Sequence, residues 1–392
     1  MIVMNRICIP EYEYKERIEK AAKLAKERKL DILVINGSEA DYANTRYFSG
    51  FWPVFERVGV AITPSGDCAL MVGPESEIFA GDFGKIEKVR VLREYRESAN
   101  PSYPELKCQT FRDVFQELHV TGEHIRIGMA AWLDTNLVIY EGLKEAYPDA
   151  EIVKCDDIMT TLRSIKSDNE IACLREAARI TKVATEEVIR KLKPGMTELQ
   201  MVGIAQQCIY ENGAEYEGLP LYVFSEKSTQ HAISRSSYRE IKKGDIVQIN
   251  LAAKIDGYSP SIGMPVSMGP LTGFKRELVE FCLKAHMWTE GQLREGVMAS
   301  QIAKDFISFF QENGYGENLL YGPCHGLGLI EVEAPWMETI SEYPLKKNMT
   351  FQIDTFAMGP DFGLRWEKPI VITESGCDLL SPQIGTIYEI DC

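Results

Sequence analysis

The chain has 392 residues, 45% of them apolar, enough for two or three domains with buried cores. Its net charge of −15 and pI near 5.0 exclude the basic footprint that nucleic-acid phosphates or an anionic membrane surface demand. There is no run of about 18 apolar residues, the opening MIVMNRICIP lacks a signal peptide's apolar stretch, and ten cysteines without a C-x-x-C pair read as reduced thiols, so the expected compartment is the cytoplasm.

Residues 11–30, EYEYKERIEKAAKLAKERKL, place Ile18, Ala22, Leu24 and Ala25 on one side of a helical period and predict an exposed amphipathic helix. Asp31-Ile-Leu-Val-Ile-Asn36 reads as a short buried strand, and Val58–Ile62 and Cys68–Val72 as two more, parted by the turn Pro64-Ser-Gly66. A helix over 110–118, a strand over 125–129, a helix over 135–146 and a strand over 151–154 complete an alternating α/β domain, expected to span 1–160, with a second domain over 161–392. The second opens with a long helix from Asp168 to about Lys193. Lys193-Pro-Gly-Met-Thr197 breaks it, and Thr197 with Gln200 forms a capping box for the next helix.

Of five histidines, His119 and His124 flank a polar turn, and His286, mid-helix between Lys284 and Trp288, reads as partly exposed. His231 stands in SEKSTQHAISRSS, a Ser/Thr-rich loop without helical or strand period, the kind of place where catalytic groups sit. Residues 244–265, GDIVQINLAAKIDGYSPSIGMP, alternate apolar and polar residues, turn at Asp256-Gly257 and run on extended, which predicts a hairpin. The unit recurs: LKKNMTFQID (345–354) overlays IKKGDIVQIN (241–250) without a gap, setting Gln248 on Gln352 and Asn250 on Asp354. Between the copies lies GPCHGLGLIEVEAP (322–335), where glycines permit close backbone approach. Cys324 adjoins His325, but neighbours on an extended segment point to opposite faces, which argues against a Cys–His nucleophile.

GDIVQIN, the turn GYS, GPCHGLGLIEVEAP and the closing pair MTFQID and GLRWEKPIVITESG resemble, in order and spacing over 162–392, the pita-bread family of methionine aminopeptidase, aminopeptidase P, prolidase and creatinase. The resemblance implies an α/β (α+β) fold, with a C-terminal pita-bread domain after a smaller N-terminal α/β domain. The family's metallopeptidases hold two metal ions through Asp, Asp, His, Glu and Glu, and the matching residues here are Asn250, Ser261, His325, Asp354 and Glu367. Two divalent ions need bridging carboxylates to offset their repulsion, and an amide and a hydroxyl do not supply that charge. The expectation is therefore no metal cofactor, with a single Mn, Zn or Fe on His325, Asp354 and Glu367 as the alternative. Val332-Glu333-Ala334-Pro335 also lacks the histidine of the family's His-Glu-x-Pro.

Creatinase works without metal, and its general acid/base matches His231. The resemblance then implies that Asp354, Glu367 and His325 hold a small cationic substrate, with Asn250, Tyr258 and Ser261 filling former metal positions. Phe55 and Arg57 match residues that creatinase lends to a neighbouring subunit, which implies a homodimer. Gly263 and Trp336 stand where creatinase has an acid and an arginine. The expected function is metal-independent hydrolysis of a non-peptide C–N bond, with peptidase activity doubtful. The alternatives are a mono-metal or Xaa-Pro dipeptidase-like enzyme and a catalytically inactive binding module.

Overall fold

Short apolar runs bounded by turn residues become sheet strands throughout the chain. In the computed structural model, which describes residues 6–381 and 385–392, the chain divides into two units, 9–163 and 164–392, the latter taking in residues 6–8. Residues 1–5, half of the opening stretch read above for a leader, lie outside the described residues. Among the described residues, no helix is long and apolar enough to cross a membrane.

The 9–163 unit holds α1 (Glu11–Glu27), β1 (Ile32–Gly37), α2 (Ala43–Ser49), β2 (Val58–Ile62), β3 (Cys68–Val72), α3 (Glu77–Phe83), β4 (Val89–Val91), α4 (Phe111–Glu117), β5 (Arg126–Ala130), α5 (Leu137–Ala146), β6 (Glu151–Lys154) and α6 (Asp156–Arg163). Its six-stranded sheet runs β4-β3-β2-β1-β5-β6, with β1, β5 and β6 parallel. Val34, Ile127, Phe111, Phe115 and Tyr147 meet in one core beneath it. Helix α1 is less exposed than its charges suggest. Arg17 is buried, pairs with Glu13 at 2.7 Å, donates to the Tyr47 carbonyl and lies over the Tyr47 ring, so its charge is satisfied inside.

The other unit holds α7 (Asp168–Lys191), α8 (Glu198–Glu211), β7 (Tyr216–Glu217), β8 (Tyr222–Ser225), β9 (Ile246–Lys254), β10 (Ser261–Ser267), α9 (Gly273–Gln292), α10 (Ala299–Glu312), β11 (Cys324–Gly326), β12 (Glu333–Met337), β13 (Thr350–Met358), β14 (Gly363–Ile372), β15 (Cys377–Leu379) and β16 (Tyr388–Glu389). Ser167 with Glu170, and Thr197 with Gln200, cap α7 and α8 through reciprocal boxes. The two repeated segments form long antiparallel hairpins, β9–β10 and β13–β14, joined edge to edge through β10 and β14. Register aligns Asn250 with Gly263, Gly263 with Glu367 and Glu367 with Asp354, so one row crosses four strands. Strand β11 adds His325 opposite Gln352, two residues from Asp354 and on the same face.

The opposite face packs on helices. Met264, Leu364 and Trp366 share a core with Leu278, Val279, Cys282 and Ala285 of α9 and with Phe306 and Phe310 of α10. His286 belongs to that buried side, contrary to its expected partial exposure, because Leu278, Cys282, Ala285 and Thr289 form the stripe that α9 presses on the sheet. Burial, and then the Lys368 ammonium, lower its pKa to about 3 against the opposing pull of Glu367. An unfolded histidine takes up a proton near pH 6.5, whereas this one does not, so the unfolded state gains stability as pH falls through that value. The contribution lost at pH 5 is ~2 kcal/mol. In His286→Gln, the difference in unfolding free energy between pH 7 and pH 5 is expected to shrink by about that amount. Denaturant titrations at the two pH values check this, and an unchanged difference would refute a neutral His286.

Candidate active site

Alternation along five strands puts Asn250, Ser261, Asp354, Glu367 and His325 on one face of the sheet. Gly263 keeps the row open. A Cβ there would come within 2.7 Å of both Asn250 Nδ2 and Glu367 Cβ, so the two side chains meet across it, and Asn250 donates a short hydrogen bond to Glu367. Gln248 in turn donates to Asn250 Oδ1 at 2.8 Å, which fixes which way the amide points.

His325 Nδ1 lies 3.0 Å from the Gly326 carbonyl, which can only accept, so Nδ1 carries a proton and Nε2 is the end turned toward the two carboxylates. Nε2 faces Glu367 Oε1 at 3.7 Å and Glu331 Oε1 at 3.8 Å. These separations exceed hydrogen-bond range but suit atoms gathered around one ion, since tetrahedral bonds of about 2 Å hold ligand atoms roughly 3.3 Å apart. The ligating atoms of His325, Glu331 and Glu367 all lie within 4.8 Å of one another, and all three residues are buried. Ser261 Oγ donates to Glu331 at 3.1 Å.

Crowding these groups in a dry place redistributes their protons. Burial, reinforced by the Glu367 charge, pushes the Glu331 carboxyl up to about 8. Burial works against Glu367 as well, but His325 and Arg365 outweigh it and hold that carboxyl below its ordinary value. For His325 burial is opposed by Glu331 and Glu367, which raise the imidazole to about 9.

Asp354 is engaged differently. Its Oδ1 lies 3.1 Å from Arg365 Nε in an ion pair, and its Oδ2 accepts from Tyr321 Oη at 2.6 Å. Arg365 Nη2 also donates to Tyr321 Oη and, at 3.1 Å, to the Ala232 carbonyl. The loop carrying His231 thus borders the row. His231 itself is exposed, with Nδ1 3.1 Å from Ser234 Oγ. Trp336 sets its ring 5.5 Å from the His325 ring. Tyr258 donates to Glu170 of α7 at 2.6 Å. In the other unit Phe55 is exposed in a left-handed conformation, and Arg57 pairs with Asp134 at 3.2 Å. Cys324 points into the apolar core with Met337 and Ile353, and burial pushes its thiol well up, so it is no nucleophile.

Sequence reasoning missed Glu331, Tyr321 and the partner of Arg365. Attention fell on Glu333, whose carboxylate pairs with buried Lys166 at 2.8 Å. Glu331 lies between β11 and β12, and the pairing of those strands shifts register between His325 and Gly326, so no period of two predicts where it points. The available signal was the carboxylate at 331 six residues from His325, beside a carboxylate absent at 261.

Residues 172–374 match Metallopeptidase family M24, and residues 17–165 match the Creatinase/Prolidase N-terminal domain. The chain is 27% identical to an Xaa-Pro dipeptidase of Pyrococcus furiosus over 94% of its own length and 98% of the relative's. It is 25% identical to an Xaa-Pro dipeptidase of Pyrococcus horikoshii over 93% and 97%. Among solved structures it resembles an X-Pro aminopeptidase from Thermotoga maritima, with TM-score 0.81, 23% identity and coverage of 96% and 99%.

These matches overturn two expectations, a metal-free hydrolase of non-peptide C–N bonds and the absence of a metal cofactor. The relatives are dipeptidases and the matched family is one of metallopeptidases. The physical reason for the error is Glu331, which restores a carboxylate beside His325 and Glu367 that a count of the five inherited positions leaves out. The alternative trio of His325, Asp354 and Glu367 is revised too, because Glu331 and not Asp354 completes the gathered atoms.

Proposed function

The chain belongs to metallopeptidase family M24, and from that premise we propose that it is a divalent-metal-dependent peptidase acting on small Xaa-Pro substrates. The observation that carries this reading is the convergence of His325, Glu331 and Glu367 on one buried point. An ion held there supplies Lewis-acid activation of water and of the scissile carbonyl.

The chain's own residues do the rest. The Gly326 carbonyl orients His325, while Asn250 and Ser261 hold Glu367 and Glu331 by hydrogen bonds. Pre-oriented side chains lose little entropy when the site is loaded. His231, on the loop tied to Arg365, delivers a proton to the departing nitrogen. The working form is a cytoplasmic homodimer in which Phe55 and Arg57 approach the neighbour's substrate.

Purified protein supplied with Mn²⁺, Zn²⁺ or Fe²⁺ is expected to release proline from Xaa-Pro dipeptides and to stop when a chelator is added. Proline release is measured against dipeptides without proline and against guanidino compounds. Failure to cleave any dipeptide with any of these ions would overturn the peptidase reading.

A further inference from the structure

We propose that this site is built for one divalent ion, not two, with Glu331 as its third ligand and Arg365 as a resident cation that neutralises Asp354. The proposal rests on the metallopeptidase reading. Of the five positions that match the family's two-metal set, Asn250 and Ser261 carry no charge. The buried acids facing the row among the described residues are Glu331, Asp354 and Glu367, and the guanidinium of Arg365 offsets one of them. A single divalent ion brings the remainder to neutrality. A second would leave two positive charges in a low-dielectric place, where uncompensated charge is strongly disfavoured.

Geometry divides the site in the same way. On one side, Ser261 is short enough to leave room for Glu331, and its hydroxyl donates to that carboxylate at 3.1 Å. His325 Nε2, on a side chain more than nine-tenths buried, faces Glu331 and Glu367 at distances too long for hydrogen bonds. On the other side, Arg365 is immobilised. Gln248 brackets its backbone, accepting from its N–H at 2.7 Å and donating to its carbonyl at 3.0 Å. Its guanidinium is shared among Asp354, Tyr321 and the Ala232 carbonyl, and stacks over Phe356 at 5.2 Å. Asp354 is therefore neutralised by a group that cannot diffuse away.

The test is titration calorimetry of full-length protein with Mn²⁺ or Zn²⁺ alone, with electron paramagnetic resonance of the Mn²⁺-loaded form. Wild type is expected to take one ion per chain and show an isolated-ion spectrum. Glu331→Gln is expected to weaken binding by at least ~100-fold, beyond the effect of removing an outer-shell partner, and Asp354→Asn by no more than about fivefold. Two ions per chain, an exchange-coupled spectrum, or equal losses in the two variants would overturn the proposal. Wild-type stoichiometry and Asp354→Asn decide the matter even if Glu331→Gln does not fold. Turnover is not the readout, so an inactive protein with one ion sinks only the peptidase reading, and an active one with two ions sinks only this inference.

Discussion

His325→Ala is expected to abolish ion retention and to lower kcat/KM on an Xaa-Pro dipeptide by roughly a thousandfold, about 4 kcal/mol of transition-state stabilisation. The size follows from the site's economy of ligands. On the proposed reading three side chains would hold the ion, and His325 is the only nitrogen donor among them. Without it, Glu331 and Glu367 face each other across the gap, and protonation relieves their repulsion in place of ion capture. The small side chain itself disturbs the sheet little, since β11 pairs through its backbone. Calorimetry for the ion and steady-state kinetics for the substrate check both halves. Retention of the ion with wild-type affinity would remove His325 from the ligand set.

The largest effect on stability is expected at Glu198. This first residue of α8 is fully buried, and its carboxylate accepts five hydrogen bonds. Oε1 receives the Ser225 N–H and hydroxyl and the Ser228 hydroxyl, and Oε2 receives the Ser237 N–H and hydroxyl, at 2.7–2.8 Å. One side chain thus pins both ends of the loop that carries His231. Glu198→Ala takes the acceptor from five donors; the Ser225 N–H and the Ser228 hydroxyl each keep a second partner at 2.9 Å and Ser237 is exposed, so the cost is about 2–3 kcal/mol. Ser228→Ala, which removes one donor, costs about 1 kcal/mol. If His231 delivers the proton, Glu198→Ala lowers kcat more than it raises KM, because the loop is misplaced while the ion's ligands stay put. Denaturant unfolding of the two variants measures the first effect and steady-state kinetics the second. A change in stability below about 0.5 kcal/mol for Glu198→Ala would show that the loop is held by other contacts.

The serine-rich loop shows how one pattern supports two readings. Its lack of period marked it as a loop near chemistry and said nothing of what its hydroxyls bind. Three of those serines are instead anchors facing a buried acid, because the loop folds back over the start of α8. His286 was hidden by a similar limit: charged and polar neighbours in sequence lie on other faces of the helix, and only the stripe of Leu278, Cys282, Ala285 and Thr289 shows the inward side.

What the sequence determined by itself was whatever is periodic or capped. Strands β2 and β3, the box opening α8 and the doubled hairpin follow from alternation and spacing, because those rules act between near neighbours, while the set of Asn250, Ser261, His325, Asp354 and Glu367 came from the family resemblance. The chemical gap at Asn250 and Ser261 was equally legible, since a neutral side chain stays neutral wherever it is placed. Only the tertiary structure decided what fills that gap. Glu331 arrives from an irregular segment after a register shift, Arg365 chooses Asp354 over the nearer-in-sequence Glu367, and Tyr321 reaches the same carboxylate from outside any strand. Such pairings are set by charge neutralisation in a buried space, which depends on distances across strands and leaves no repeat in the chain.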